Sequence, residues 1–106
     1  MTDTVRAIVH ETRTLLEREY GGRLAGVVLF GSQARGNAET DSDVDLLVVL
    51  RGRVLAGKEI ARMSHALSEL SLRHDTVVSC VFISEESYRT EQTPFLLNVR
   101  REGVAA

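Results

Sequence analysis

Two carboxylates, Asp43 and Asp45, stand two residues apart at the head of an apolar run, and ten residues before them another apolar run empties into Gly31-Ser32. On a strand, this i and i+2 spacing turns both acids to one face, with Cα atoms about 6.5 Å apart. Acids so placed can share a pair of Mg²⁺ ions about 3.5–4 Å apart, the arrangement that clamps the attacking and leaving oxygens of an in-line phosphoryl displacement. Val44 between them points the other way, into a core. Desolvating two carboxylates this close pushes one pKa up unless a cation compensates. The Gly31-Ser32 turn adds the complementary half. If a helix starts there, free backbone N–H groups collect at its end, glycine lets the backbone approach a phosphate, and Ser32 contributes a hydroxyl. Arg35, one turn further, can reach the same anion with its planar fork. Each feature alone also has a plain reading, as acids at a strand mouth, an ordinary strand exit and a solvated arginine. Their combination points to metal-assisted chemistry on a nucleotide.

These residues need elements to hold them. Asp3 or Thr4 can cap a first helix, on which Val5, Ile8, Val9, Thr12, Leu15 and Leu16 recur at three-and-four spacing until Gly21-Gly22 ends it. Leu24 to Phe30 reads as a strand buried on both faces. Ser32 to Arg35 fits one helical turn, and Gly36 to Ser42, rich in Gly, Asn, Thr, Asp and Ser, an exposed loop. Asp43 to Leu50 is a second strand, broken by Arg51-Gly52-Arg53. From Lys58 to Arg73, Ile60, Met63, Leu67 and Leu70 mark a second long helix. Thr76 to Ile83 is a third strand, Ser84 caps a short helix start at Glu85-Glu86, and Pro94 opens a last helix, Phe95 to Arg101, that Gly103 stops. The pattern predicts an α/β domain: a small three-stranded mixed sheet covered on one face by two long helices, with a short C-terminal helix and a relatively open second face.

With 106 residues, the chain makes one domain, 1–106, with room for a modest core and no separate substrate domain. It carries 43% apolar and 26% charged residues and no apolar run of membrane-spanning length, so it reads as soluble and cytoplasmic, with no membrane partner. A net charge of −2 argues against strong nucleic-acid binding. Arg51, Arg53, Lys58 and Arg62 form a mild basic cluster that reads as solvated surface, or as a face for an RNA or protein acceptor. The single cysteine, Cys80, sits in an apolar run as a small core residue. His10, His65 and His74 read as solvated or locally bonded.

The segments Leu29-Phe30-Gly31-Ser32-Gln33-Ala34-Arg35-Gly36 and Asp41-Ser42-Asp43-Val44-Asp45-Leu46-Leu47-Val48-Val49 together resemble the signature of minimal nucleotidyltransferases in the polymerase-β-like superfamily. That resemblance implies the nucleotidyltransferase fold, Mg²⁺ or Mn²⁺ as cofactor, and transfer of a nucleoside monophosphate, AMP from ATP, to a hydroxyl with release of pyrophosphate. By the same resemblance Gly31, Ser32 and Arg35 would bind the triphosphate, and Asp43 and Asp45 the metals. The family usually carries a third carboxylate on the strand after the long helix. Here residues 75, 77 and 79 share one face and only Asp75, at the strand mouth, is acidic, which makes it the candidate third catalytic carboxylate beside Asp43 and Asp45, while Ser79 stands at the distance expected of the counterpart. Family members of this length resemble antitoxins paired with a small helical HEPN-type protein, some of which modify the partner's tyrosine. Homo-oligomers are an open possibility. The alternative is a catalytically weakened module that holds a nucleotide or a partner and regulates by complex formation.

Overall fold

A computed structural model describes residues 1–36 and 42–106. Helix α1 spans Asp3–Tyr20, capped by the Thr2 hydroxyl, which accepts from Val5 N at 3.2 Å. The cap is one residue earlier than the sequence reading placed it. Val5, Ile8, Val9, Leu16 and Tyr20 form its buried stripe together with Thr12, whose hydroxyl donates to the Ile8 carbonyl at 2.8 Å and so leaves no orphaned polar group. A 3₁₀ turn at Gly21–Arg23 leads into β1, Leu24–Phe30, and then the one-turn helix α2, Ser32–Arg35. Strand β2 is Val44–Leu50, α3 Ala56–His74, β3 Val78–Ser84, α4 Glu85–Thr90, α5 Pro94–Glu102 and β4 Val104–Ala105. Most of the expected loop from Gly36 to Ser42 lies outside the described residues. No helix among the described residues is long and apolar enough to cross a membrane.

The sheet is mixed, as expected, but has four strands rather than three, in the order β3-β2-β1-β4. Strand β1 runs antiparallel to β2 and β4, and β2 runs parallel to β3 through the α3 crossover. The extra strand follows Gly103, where the chain is pressed so closely to its neighbours that a Cβ would meet the Val99 carbonyl at 2.5 Å and Val28 Cγ1 at 2.6 Å. Val104 and Ala105 then pair with Leu29 and Val28, and Ala106 N donates to the Val27 carbonyl at 2.9 Å.

The second face of the sheet is covered too, which corrects the expectation that it stays open. Helices α1 and α3 cover one side, where Ile8, Leu16, Leu46, Val48, Met63 and Leu70 make the main core. On the other side Leu96 and Val99 of α5 pack on Leu47 and Val49, with Tyr88 of α4 at the margin. Strand β2 is therefore buried on both faces, which explains its unbroken apolar run from Leu46 to Leu50. Cys80 is packed against the main core, and burial pushes its thiol up to about 12, which makes it an inert packing residue.

One polar contact ties the two long helices together inside the main core. The Tyr20 hydroxyl donates to Glu59 at 3.0 Å, and Arg62 pairs with Glu59 and with Glu19, each at 3.3 Å. Burial and the bond to Glu59 hold the Tyr20 hydroxyl well above its ordinary pKa, so it stays a donor. Tyr20→Phe removes that donor from a buried carboxylate, and urea unfolding is expected to show a loss of about 1.5–3 kcal/mol.

Arg51 and Arg62 of the expected basic cluster are likewise committed to structure. Arg51 Nη1 donates to the Gly22 and Leu24 carbonyls at 2.7 and 3.2 Å, and Arg23 returns bonds to the carbonyls of Arg51 and Arg53 at 3.2 and 2.9 Å. The two arginines lock the end of the β1–β2 pair. His65 is locally bonded, to Glu69 at 3.2 Å, whereas His74 reaches across to Glu11 of α1 at 3.1 Å.

Candidate active site

The site is built where β1 ends beside the start of β2. Phe30 is in register with Asp45, and Asp45 in turn with Ser79 of the parallel strand β3. Because Val44 is fully buried in the main core, the alternation along β2 sends Asp45 to the other face, along with Leu47 and Val49. Asp43, two residues earlier, is exposed, and Asp45 is half-buried.

Gly31 makes the junction possible. Its backbone, at φ 76° and ψ −158°, lies in a region that side-chain-bearing residues essentially never occupy. It also lies directly against the second carboxylate: a Cβ at Gly31 would be 2.7 Å from Asp45 Oδ2. The turn that would cradle a phosphate and the carboxylate that would hold a metal are thus in contact.

From Gly31 the chain enters α2 at once. The Gly31 carbonyl accepts from Ala34 N at 3.1 Å and Arg35 N at 3.2 Å, whereas the N–H groups of Ser32 and Gln33 lie in the first turn, where a helix offers them no partner. Ser32 therefore brings a hydroxyl to the helix start, with an amide that has no partner among the described residues. The Gln33 side chain donates to the Ser42 carbonyl at 3.1 Å and fastens the turn to the head of β2. Arg35, at the end of the turn, is 3.5 Å from Glu102 of α5 and remains partly exposed.

Electrostatics at the two acids match the chemistry of a cation site. Burial first, and the neighbouring Asp43 charge second, raise the Asp45 pKa. Among the described residues neither acid has a basic partner. Strand β2 begins at Val44, one residue later than the sequence predicts, so Asp43 stands just ahead of the strand and Asp45 on it. Two oxygen donors so placed, with mutual repulsion and, among the described residues, no basic partner, fit a hard dication such as Mg²⁺ or Mn²⁺.

Asp75 is not brought to this pair. It ends α3 in the left-handed conformation, φ 51° and ψ 41°, with its N–H turned back to the Leu72 and Ser71 carbonyls, and it is exposed. Strand β3 begins at Val78, two residues later than the sequence reading, so Asp75 is outside the strand and does not share the face of Ser79. Among the described residues no group of three or more acidic, histidine or cysteine side chains is placed to hold a metal. The residue beside Asp45 on β3 is Ser79.

Two contacts at the site escaped the sequence reading. Gln33 stands inside the quoted motif, and its polar side chain between Ser32 and Ala34 was the available signal. Glu102 gave none, because its approach to Arg35 depends on where α5 and the two-residue strand β4 run.

Comparison with known proteins shows the family and the fold. A nucleotidyltransferase domain model matches residues 9–101. A Methanocaldococcus jannaschii protein named as a candidate protein adenylyltransferase is 31% identical over 96 residues, which cover 90% of this chain and 90% of that protein. Among solved structures, a toxin–antitoxin crystal structure with AMP-PNP superposes with a TM-score of 0.61 at 24% identity, covering 90% of this chain and 69% of that one. A tri-AMPylated Shewanella oneidensis HEPN toxin in complex with its MNT antitoxin gives 0.60 at 22% identity, covering 95% and 70%. At these identities the solved structures speak for the fold.

Proposed function

Because this chain belongs to the nucleotidyltransferase domain family and is a nucleotidyltransferase, we propose that it transfers AMP from ATP to a hydroxyl on a small helical HEPN-type protein, as the antitoxin of a two-gene pair. The observation that carries this reading is the contact between Gly31 and Asp45, which fuses a triphosphate cradle to a carboxylate pair. The relative named for protein adenylylation supports AMP as the transferred group, and the AMPylated toxin held by a fold neighbour supports a protein acceptor.

In this reading Gly31 and Ser32 bind the triphosphate through backbone N–H groups and the serine hydroxyl. Arg35 leaves Glu102 to meet the phosphate charge with its planar fork. Asp43 and Asp45 would hold Mg²⁺ or Mn²⁺, which supplies neutralisation of charge on the transferring phosphate. The acceptor oxygen bonds to the α-phosphorus, the bond to the β-phosphate oxygen breaks, and pyrophosphate departs. The acceptor proton needs a base. Ser79, in register with Asp45, is too weak a base for that task, so the acceptor proton passes to solvent water.

Labelled ATP, Mg²⁺ and a co-purified helical partner test the proposal. The expected result is label on the partner with release of pyrophosphate, lost in Asp43→Ala. Tight ATP binding with no pyrophosphate release, even with the partner present, would replace it with the nucleotide-holding module.

A further inference from the structure

The outer edge of β3 and the adjoining side of α3 form an apolar surface at the open margin of the main core. Among the described residues β3 ends the sheet, so alternate backbone N–H and C=O groups along it face outward with no strand beyond them, although the first, Val78 N, is taken by Ser71 Oγ of α3 at 3.0 Å. Natural edges are usually blunted by lysine, proline or an inward charge. Thr76 to Ser84 has none of these. A groove of about 580 Å³ runs between strand and helix, lined in part by Leu67, Val77, Val78 and Phe82, and Val81 is exposed on the opposite face of the same edge strand.

The helix side of this surface has a pattern of its own. Ile60, Ser64, Ser68 and Leu72 recur every four residues on one face of α3 and all are exposed, Ile60 at 53% and Leu72 at 83%. The order large, small, small, large is symmetric about position 66. Reversed end to end, the stripe matches itself: Ile60 meets the partner's Leu72, and serine meets serine, which lets two helices approach closely.

We infer that this surface is a two-fold interface between copies of this chain, in which β3 pairs antiparallel with β3 and α3 packs on α3. Two four-stranded sheets join into one of eight, and the open edge is closed by its own kind. A helical partner would fill the groove but leave the backbone edge unpaired. The symmetric stripe favours a second copy. Since Asp45 stands at the start of β2, which runs parallel to β3, antiparallel pairing sets the two candidate sites at opposite ends of the joined sheet, both open.

Light scattering and sedimentation of the full chain over a dilution series test this, independently of any transfer activity. The expected species has twice the chain mass and dissociates on dilution. Val81→Lys on the strand and Leu72→Glu on the helix, each folded by circular dichroism, are expected to weaken it about a hundredfold or more. Val104→Lys, at the opposite sheet edge, is expected to leave it intact. A monomer at every concentration, a dimer indifferent to both interface variants, a dimer split by Val104→Lys instead, or an open-ended polymer would each overturn the inference.

Discussion

Asp45→Asn is expected to cut nucleotidyl transfer about a thousandfold or more, since a lost metal ligand removes several kcal/mol of transition-state stabilisation, and at the same time to make the metal-free protein more stable. The two effects have one cause. The Asp45 carboxyl is raised above its ordinary pKa by burial and by Asp43, so the native state holds its proton more tightly than the unfolded chain does. Stability of the metal-free wild type therefore falls as pH rises from the unfolded pKa through the folded one, and the penalty is fully present above the folded value. An amide cannot ionise, so the variant escapes that penalty. Its advantage in chelator is expected to be absent at strongly acidic pH, to grow through the carboxylate range and then to level off. Saturating Mg²⁺ should reverse the order, because an ion that binds only the folded carboxylate pair stabilises the wild type alone. Urea denaturation across pH, with and without Mg²⁺, reads both arms; an advantage that shrinks as pH rises would refute the account.

Gly31→Ala is expected to damage the site through geometry rather than charge. Its backbone conformation alone costs a side-chain-bearing residue about 1–3 kcal/mol, and the new methyl group would sit 2.7 Å from Asp45 Oδ2. Either the turn opens or the carboxylate swings away. Misplacing reacting groups by about 1 Å costs on the order of a hundredfold in rate, and transfer by the variant should fall at least that far. Gly57→Ala is the control, since that helical glycine has open space around it and an ordinary φ. Parallel stability and turnover measurements separate the outcomes: equal losses in both variants would mean that Gly31 matters only as a generic loop residue.

Much of this architecture was legible because the burial signals were strong. Strand β2 announces itself as an unbroken apolar run, having hydrophobic layers on both sides, and α1 by a stripe repeated over five turns. Gly31, Ser32, Asp43 and Asp45 were legible as a group because their spacing presumes a strand at each end, and both strands exist. The rest depended on tertiary placement. Strand β4 is two residues long, too short for any periodicity, and exists through its backbone pairing to β1. Helix α5 could be read, but with only Leu96 and Val99 buried, its sequence did not say which face it covers. Ile60 fitted the spacing of the buried stripe on α3 yet lies on the rim beyond the last strand. Asp75, expected at the mouth of the third strand on the face of residues 77 and 79, is instead claimed by the α3 terminus for a left-handed cap.

The double burial of β2 has a mechanical side. To free its backbone, both hydrophobic layers must part, so exchange of its amide protons with solvent tracks global unfolding rather than local breathing. The carboxylate pair stands at the head of this strand, while the opposing turn is a single helical turn fastened by Gln33 and by Arg35. The anvil is fixed and the clamp is light. Differences among related chains in nucleotide choice or acceptor would then accumulate in the clamp, where change costs the fold little.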